Sequence, residues 1–327
     1  MLKTRLTELL GCRLPIVSGG MGSGMASPCL VTAIAKTGAL PIMGTANESL
    51  EAIRAKVEQV KASVEGPFGV NVLLIPGSYP DASASEVIDV VLAAGVRVVE
   101  TAGRNPREHV SRLKAAGVRI LHKCSRVRDA LSAERAGVDA VAVLAYEGAG
   151  HISAEYVGQL VQLQHAVAQL KVPVVAAGGF ASGQSILAAL ALGAEGVLLG
   201  TRFVLTQESP LHPASKQALL QASVNDTAVL AAGSGDDVRV WATDAARDMQ
   251  ARERRGELPH HELKHLFNAN KAAALHEGKY QTGTFPLGQA VALMNDIPTV
   301  AELLARLEAE MAQARERLDR LFAARPV

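Results

Sequence analysis

Eight short apolar runs, each followed by a stretch of helical period, constrain this chain more than any other feature. The runs cover residues 15–17, 40–43, 68–74, 96–101, 119–123, 140–144, 174–177 and 196–199. Helical periodicity fills 49–64, 85–94, 106–116, 126–136 and 154–170 between them. The triplet Ala-Gly-Val recurs at Ala94, Ala116 and Ala136, each time a helix stop followed directly by a buried strand. Continuous apolar strands separated by helices require a parallel sheet covered on both faces. Eight such units in about 200 residues match an α/β fold of the (β/α)8 barrel type. An open doubly wound sheet has the same periodicity. Two features favour the barrel: no G-x-G-x-x-G opens the first unit, and polar or glycine signals follow nearly every strand rather than one switch point.

The last two runs end in bare backbone. Gly178 and Gly179 close the seventh, and Gly200-Thr201 closes the eighth. N–H groups at such turns approach a phosphate with no Cβ in the way, and the loops after the last two barrel strands are the usual place for one. The other strand ends carry Ser18-Gly-Gly-Met21, Asn71, Glu100-Thr101, His122-Lys123 and Tyr146-Glu-Gly-Ala-Gly-His151. Sequence-distant polar groups thus converge on one rim.

Composition excludes several classes. Thirty-three basic against thirty-two acidic residues leave a net charge of only +1, so nothing argues for nucleic acid or an anionic membrane as the main partner. Cys12, Cys29 and Cys124 lack C-x-x-C spacing, which argues against a disulfide framework or thiolate metal site and for a reducing compartment. No His/Asp/Glu grouping has metal-ligand spacing. Charged residues interrupt the leader ahead of Leu9-Leu-Gly-Cys12, and the longest apolar stretch falls short of a span, so a cytoplasmic protein is expected.

Beyond Thr206 the strand rhythm stops. The expected organisation is a barrel over 1–212, a smaller helical lid or substrate domain over 213–298 with breaks at 233–237, Gly256 and Pro259, and a C-terminal helix over 299–327. That helix spaces Leu304, Leu307, Met311, Ala314, Leu318 and Leu321 along one face, which packs back on the barrel or on a homodimer partner.

Three rim residues carry the chemistry. Lys123 ends an apolar strand, where its charge needs a negative partner, such as a reduced flavin. Asn71 offers both an amide donor and an acceptor to a flavin ring. His151 sits in a glycine-rich loop that suits a general base or orienting donor, whereas His109, His165, His212, His260 and His261 lack such company and read as surface.

Together Pro15-Ile-Val-Ser-Gly-Gly-Met21, Pro67-Phe-Gly-Val-Asn71, Glu100-Thr-Ala-Gly103, His122-Lys-Cys124, Glu147-Gly-Ala-Gly-His151 and Ala177-Gly-Gly-Phe180 through Gly200-Thr-Arg-Phe203 resemble the FMN-dependent nitronate monooxygenase (2-nitropropane dioxygenase-like) family over nearly the full length. The resemblance implies non-covalent FMN on the rim, with contacts from Gly20, Met21, Gly22, Asn71 and Lys123 on one side. Ala149, Gly150, Gly178, Gly179, Gly200 and Thr201 would supply the rest, and His151 and Lys123 would be catalytic. Glu-Thr-Ala-Gly and His-Lys-Cys look closest to the bacterial NADH:quinone reductase branch, which implies NADH or NADPH as co-substrate and a quinone acceptor. Oxidation of alkyl nitronates by O2 and reduction of an enoyl thioester are the alternatives, and a flavin-binding protein without activity is the reading outside enzymology. Nitronate-oxidising members typically carry Glu-Ala-Gly-Gly-His-Arg-Gly, from which Glu-Gly-Ala-Gly-His-Ile-Ser departs. Ser18 and Leu144 stand where glutamine and, in the quinone branch, aspartate are usual; both are expected to approach the flavin.

Overall fold

In the computed structural model, residues 2–269 and 271–323 are described. The strands are β1 (Ile16–Ser18), β2 (Ile42–Met43), β3 (Gly69–Leu73), β4 (Val98–Ala102), β5 (Arg119–Cys124), β6 (Ala140–Leu144), β7 (Gly150–His151), β8 (Val174–Ala177), β9 (Gly196–Leu199), β10 (Thr227–Leu230) and β11 (Val238–Trp241). Eight of them match the eight apolar runs and form one parallel sheet in the order β1-β9-β8-β6-β5-β4-β3-β2. The two ends meet through a bridge between Val17 and Leu40, with Ser18 N donating to Leu40 O at 2.9 Å. Ser18 Oγ then accepts Ile42 N at 3.0 Å. The fold is a (β/α)8 barrel.

Closure gives each strand an inner and an outer face, both of them apolar. On β6, Ala140 and Ala142 belong to the cluster inside the barrel, while Val141 and Val143 pack outward beneath the helices. On β8, Val175 and Ala177 point in while Val174 and Ala176 point out. This period-2 alternation of two apolar faces explains why the strands read as unbroken apolar runs. Two of the helices begin on side-chain caps of the expected kind: Ser49 Oγ accepts Ala52 N, and Ser83 with Glu86 forms a capping box.

The stretch after the barrel is not helical throughout. β10 and β11 form an antiparallel hairpin, and β11 also pairs with β7, giving a three-stranded sheet that joins the glycine-rich loop to the appended segment. The hairpin turn falls at the break expected at 233–237. It is built around buried Asp237, whose carboxylate accepts Gly233 N, Gly235 N and the Tyr156 hydroxyl. The C-terminal helix, Val300–Ala323, lays Leu303, Leu304, Leu307 and Met311 against the body, and Glu310 accepts Gly183 N at 2.6 Å. Leu318 and Leu321, further along the same stripe, are exposed. Among the described residues, no helix is long and apolar enough to cross a membrane.

Candidate active site

Strand parity selects which rim residues reach the barrel axis. Asn71 and Glu100 are register partners and carry the inward parity of Val98. Lys123 shares the inward parity of Leu121 on β5. Thr101 and His122, also register partners, carry the outward parity of Val99 and Ile120. Of the four polar residues at the ends of β4 and β5, only Glu100 and Lys123 therefore face inward. Thr101 and His122 hydrogen-bond each other at 2.9 Å beneath the helices. Burial pulls the His122 pKa down to about 4, so the ring is neutral.

Glu100 is fully buried and organises the rim. Its Oε2 accepts Gly20 N and Asn71 Nδ2, each at 3.1 Å, and its Oε1 lies 2.7 Å from Lys123 Nζ. A Cβ on Gly20 would lie 2.5 Å from Glu100 Oε2, so only glycine lets the β1 loop come this close. Asn71 Oδ1 is buried without a hydrogen-bond partner. Asn71 Oδ1 lacks a donor and Lys123 Nζ has donors beyond the one turned to Glu100, so a ring with an N–H group and developing negative charge would suit both. Met21 and Gly22 continue the same loop: Met21 O presses on Gly44, and a Cβ on Gly22 would lie 3.0 Å from that of Ala46.

Across the rim, Gly178 and Gly179 are both left-handed, at φ 96° and 86°. A Cβ on Gly178 would lie 2.9 Å from Gly148 N, whereas one on Gly200 would meet nothing within 4 Å. Gly200 starts the short helix Thr201–Val204 without a side-chain cap. Its neighbourhood is an open turn of backbone N–H groups, suited to an anion.

Gly288 converges on this loop from the appended segment: its N–H donates to Thr201 Oγ1 at 3.0 Å, and a Cβ there would lie 3.3 Å from Ala149 N. Glu147 accepts Gln159 N with both carboxylate oxygens and caps the next helix. Nothing local to Gly288 marked it, because its role is set by a partner 87 residues away.

Three further residues gain specific neighbours. Ser18 has the outward parity of Ile16, and its hydroxyl is spent on Ile42 N, so it helps close the barrel. Leu144 has inward parity at the end of β6 and is half-buried above the inner cluster, and a Cβ on Gly148 would collide with its side chain. His260 is not isolated: its Nε2 lies 3.3 Å from Asp236 Oδ2, while His151 Nε2 lies 3.1 Å from Asp236 Oδ1. His151, on β7, stays half-exposed at 54% of its side chain.

The nitronate monooxygenase family profile matches residues 3–310. The chain belongs to the nitronate monooxygenase family. It is 32% identical to a (3aS,4S,5R,7aS)-5-hydroxy-7a-methyl-1-oxo-octahydro-1H-indene-4-carboxyl-CoA dehydrogenase of Rhodococcus jostii, over 99% of each chain. It is 29% identical to a nitronate monooxygenase of Paraburkholderia phytofirmans over 97% of each. The structure of FabK from Thermotoga maritima superposes with a TM-score of 0.91 at 32% identity, covering 98% of this chain and 99% of that one. This nitronate monooxygenase family member is thus an oxidoreductase of a family that works with FMN. Its own residues fit that cofactor: an unpartnered Asn71 oxygen and a lysine stand on one side of the rim, and bare glycine turns stand on the other.

Proposed function

We propose that this protein passes a hydride, through FMN, between a reduced nicotinamide and the carbon skeleton of an acyl thioester. The observation that carries the flavin chemistry is the Lys123 ammonium held on the rim by fully buried Glu100. FMN, when bound, supplies a two-electron carrier that takes up and gives back a hydride. Asn71 and Lys123 would hold its ring, with Lys123 placing fixed positive charge where reduction leaves negative charge. Gly178, Gly179, Gly200 and Thr201 would hold the phosphate through backbone N–H groups. His151 has Nε2 turned to Asp236, which leaves Nδ1 to give or take the proton that accompanies the hydride.

The choice of a thioester follows from what the rim residues cannot report. In the Glu-Thr-Ala-Gly and His-Lys-Cys pieces that resemble the quinone-reductase branch, Thr101 and His122 are 0% and 1% exposed and cannot touch any acceptor. Ile152, where nitronate-oxidising members place arginine, is 4% exposed, and a guanidinium there would have to be buried. The full-length relative from Rhodococcus jostii is named for a CoA thioester, and this supports the same class here.

The test is steady-state oxidation of NADH and NADPH by the FMN-loaded protein with crotonyl-CoA, a short-chain ubiquinone and propyl nitronate side by side. Turnover is expected with the thioester well above the other two, and His151→Ala should keep FMN while losing turnover. Turnover confined to the quinone or the nitronate would replace the thioester assignment.

A further inference from the structure

A cavity of about 570 Å³ opens beside the β1 and β2 loops, between Ser23, Gly24, Glu48 and Lys56 on one side and Lys271 and His276 on the other. One wall is the first turn of the helix Leu50–Ser63, where capping Ser49 and then Ala52 line the space. A 14-residue helix presents its positive end there, with Leu50 N already donating to Asp81 Oδ1 and Ala52 N to Ser49 Oγ. Lys56 Nζ lies 2.6 Å from Glu48 Oε1. The Glu48 side chain is 9% exposed, and its other oxygen, Oε2, is buried with no hydrogen-bond partner.

These groups divide by chemistry. Two lysines and a histidine favour anions, and one carboxylate oxygen without a donor favours a hydroxyl or amine. A lone phosphate would use the first set and be repelled by the second, whereas a metal ion would find a single carboxylate among cations. The loop beneath is held in a costly form: Ser23 and Asn47 are left-handed at φ 55° and 64°, pinned by Ser23 N to Ala46 O and Asn47 N to Ser78 O. Strain of this kind, in residues other than glycine, accumulates where a ligand is gripped.

We infer that this cavity binds a nucleoside diphosphate group, with its phosphates against Lys56 and Lys271 and a sugar hydroxyl donated to Glu48 Oε2. The inference draws on the proposed function only for the molecule that carries the group, since a reduced nicotinamide dinucleotide and CoA both join adenosine to a pyrophosphate. Burial pulls the Lys271 pKa down to about 8, and its Nζ sits 4.0 Å from the centre of the Phe267 ring. A phosphate beside it favours the charged form.

The test is calorimetric titration of the FMN-loaded protein with ADP and with pyrophosphate, repeated on Lys56→Ala, Lys271→Ala and Glu48→Ala, with flavin content and melting point confirming that each variant is folded. ADP should bind more tightly than pyrophosphate. Each lysine variant should weaken ADP by about tenfold. Glu48→Ala should weaken ADP, strengthen pyrophosphate and so erase the preference. Displacement of ADP by NADH assigns the site to the dinucleotide, and displacement by CoA assigns it to the thioester. Four results overturn the inference: no ADP binding, affinity unchanged in the variants, pyrophosphate bound as tightly as ADP, or ADP displaced by neither molecule. Because binding is read without turnover, a protein that holds ADP here but reduces no thioester loses the proposed substrate and keeps this site.

Discussion

Glu100 Oε1 and Lys123 Nζ lie 2.7 Å apart at the inward rim, the carboxylate fully buried and the lysine side chain 20% exposed. The pair arises because β4 and β5 are in register at Ala102 and Lys123, so the lysine stem reaches down one layer to the carboxylate. Glu100 also holds Gly20 N and Asn71 Nδ2, so one buried group sets three others. Removing one partner of a buried pair leaves the other uncompensated, which costs about 3–5 kcal/mol. Lys123→Met should therefore lose roughly 3 kcal/mol, judged by urea unfolding, together with most turnover. Adding Glu100→Gln should recover much of that stability but not the turnover. Recovery of both would reduce Lys123 to a structural counter-ion.

The glycine turns make opposite predictions. Gly178→Ala forces a left-handed alanine and drives its Cβ against Gly148 N, so melting point and flavin retention should both fall. At Gly200, with φ −111° and nothing within 4 Å of the added Cβ, alanine should leave the melting point nearly unchanged while weakening FMN. Flavin release on a desalting column, set against the melting point, separates the two effects.

Ser18→Ala tests the barrel-closing role. It leaves Ile42 N unsatisfied inside the sheet, at a cost of about 1–2 kcal/mol. The visible spectrum of the bound flavin should not move. A shifted spectrum at unchanged stability would restore Ser18 to the cofactor.

His122 predicts an acid limb in stability. Its pKa lies at about 4, against an ordinary 6.5, mainly because the ring is buried. Between those values the unfolded chain binds a proton that the folded chain refuses, so stability falls as pH drops through this window and is unaffected above it. The contribution is at most about 3 kcal/mol. In His122→Gln, unfolding midpoints measured from pH 7 to pH 4 should fall less steeply than in the parent protein.

The eight barrel strands were legible in the sequence because a parallel strand buried on both faces is an unbroken apolar run with a helix after it. Which rim residue faces the axis was not legible: Glu100 stands next to Thr101, and His122 next to Lys123, and only closure separates them by parity. The hairpin of β10 and β11 left a usable trace. Thr-Ala-Val-Leu and Val-Arg-Val-Trp flank the Gly233–Gly235 turn, but four-residue strands amid alanine-rich helices carry little periodic signal. Asp236 lies 85 positions from His151, and Gly288 lies 87 from Thr201, so both contacts come from how the appended segment folds over the rim.

Anaerobic stopped-flow mixing of the FMN-loaded protein tests the account most directly. Reduced nicotinamide should bleach the flavin absorbance faster than buffer controls, and an unsaturated acyl-CoA should restore it in a second mix. The Lys123→Met protein should slow the bleaching by roughly a hundredfold. Bleaching by propyl nitronate but not by NADH or NADPH, or bleaching unaffected by Lys123→Met, would contradict the account.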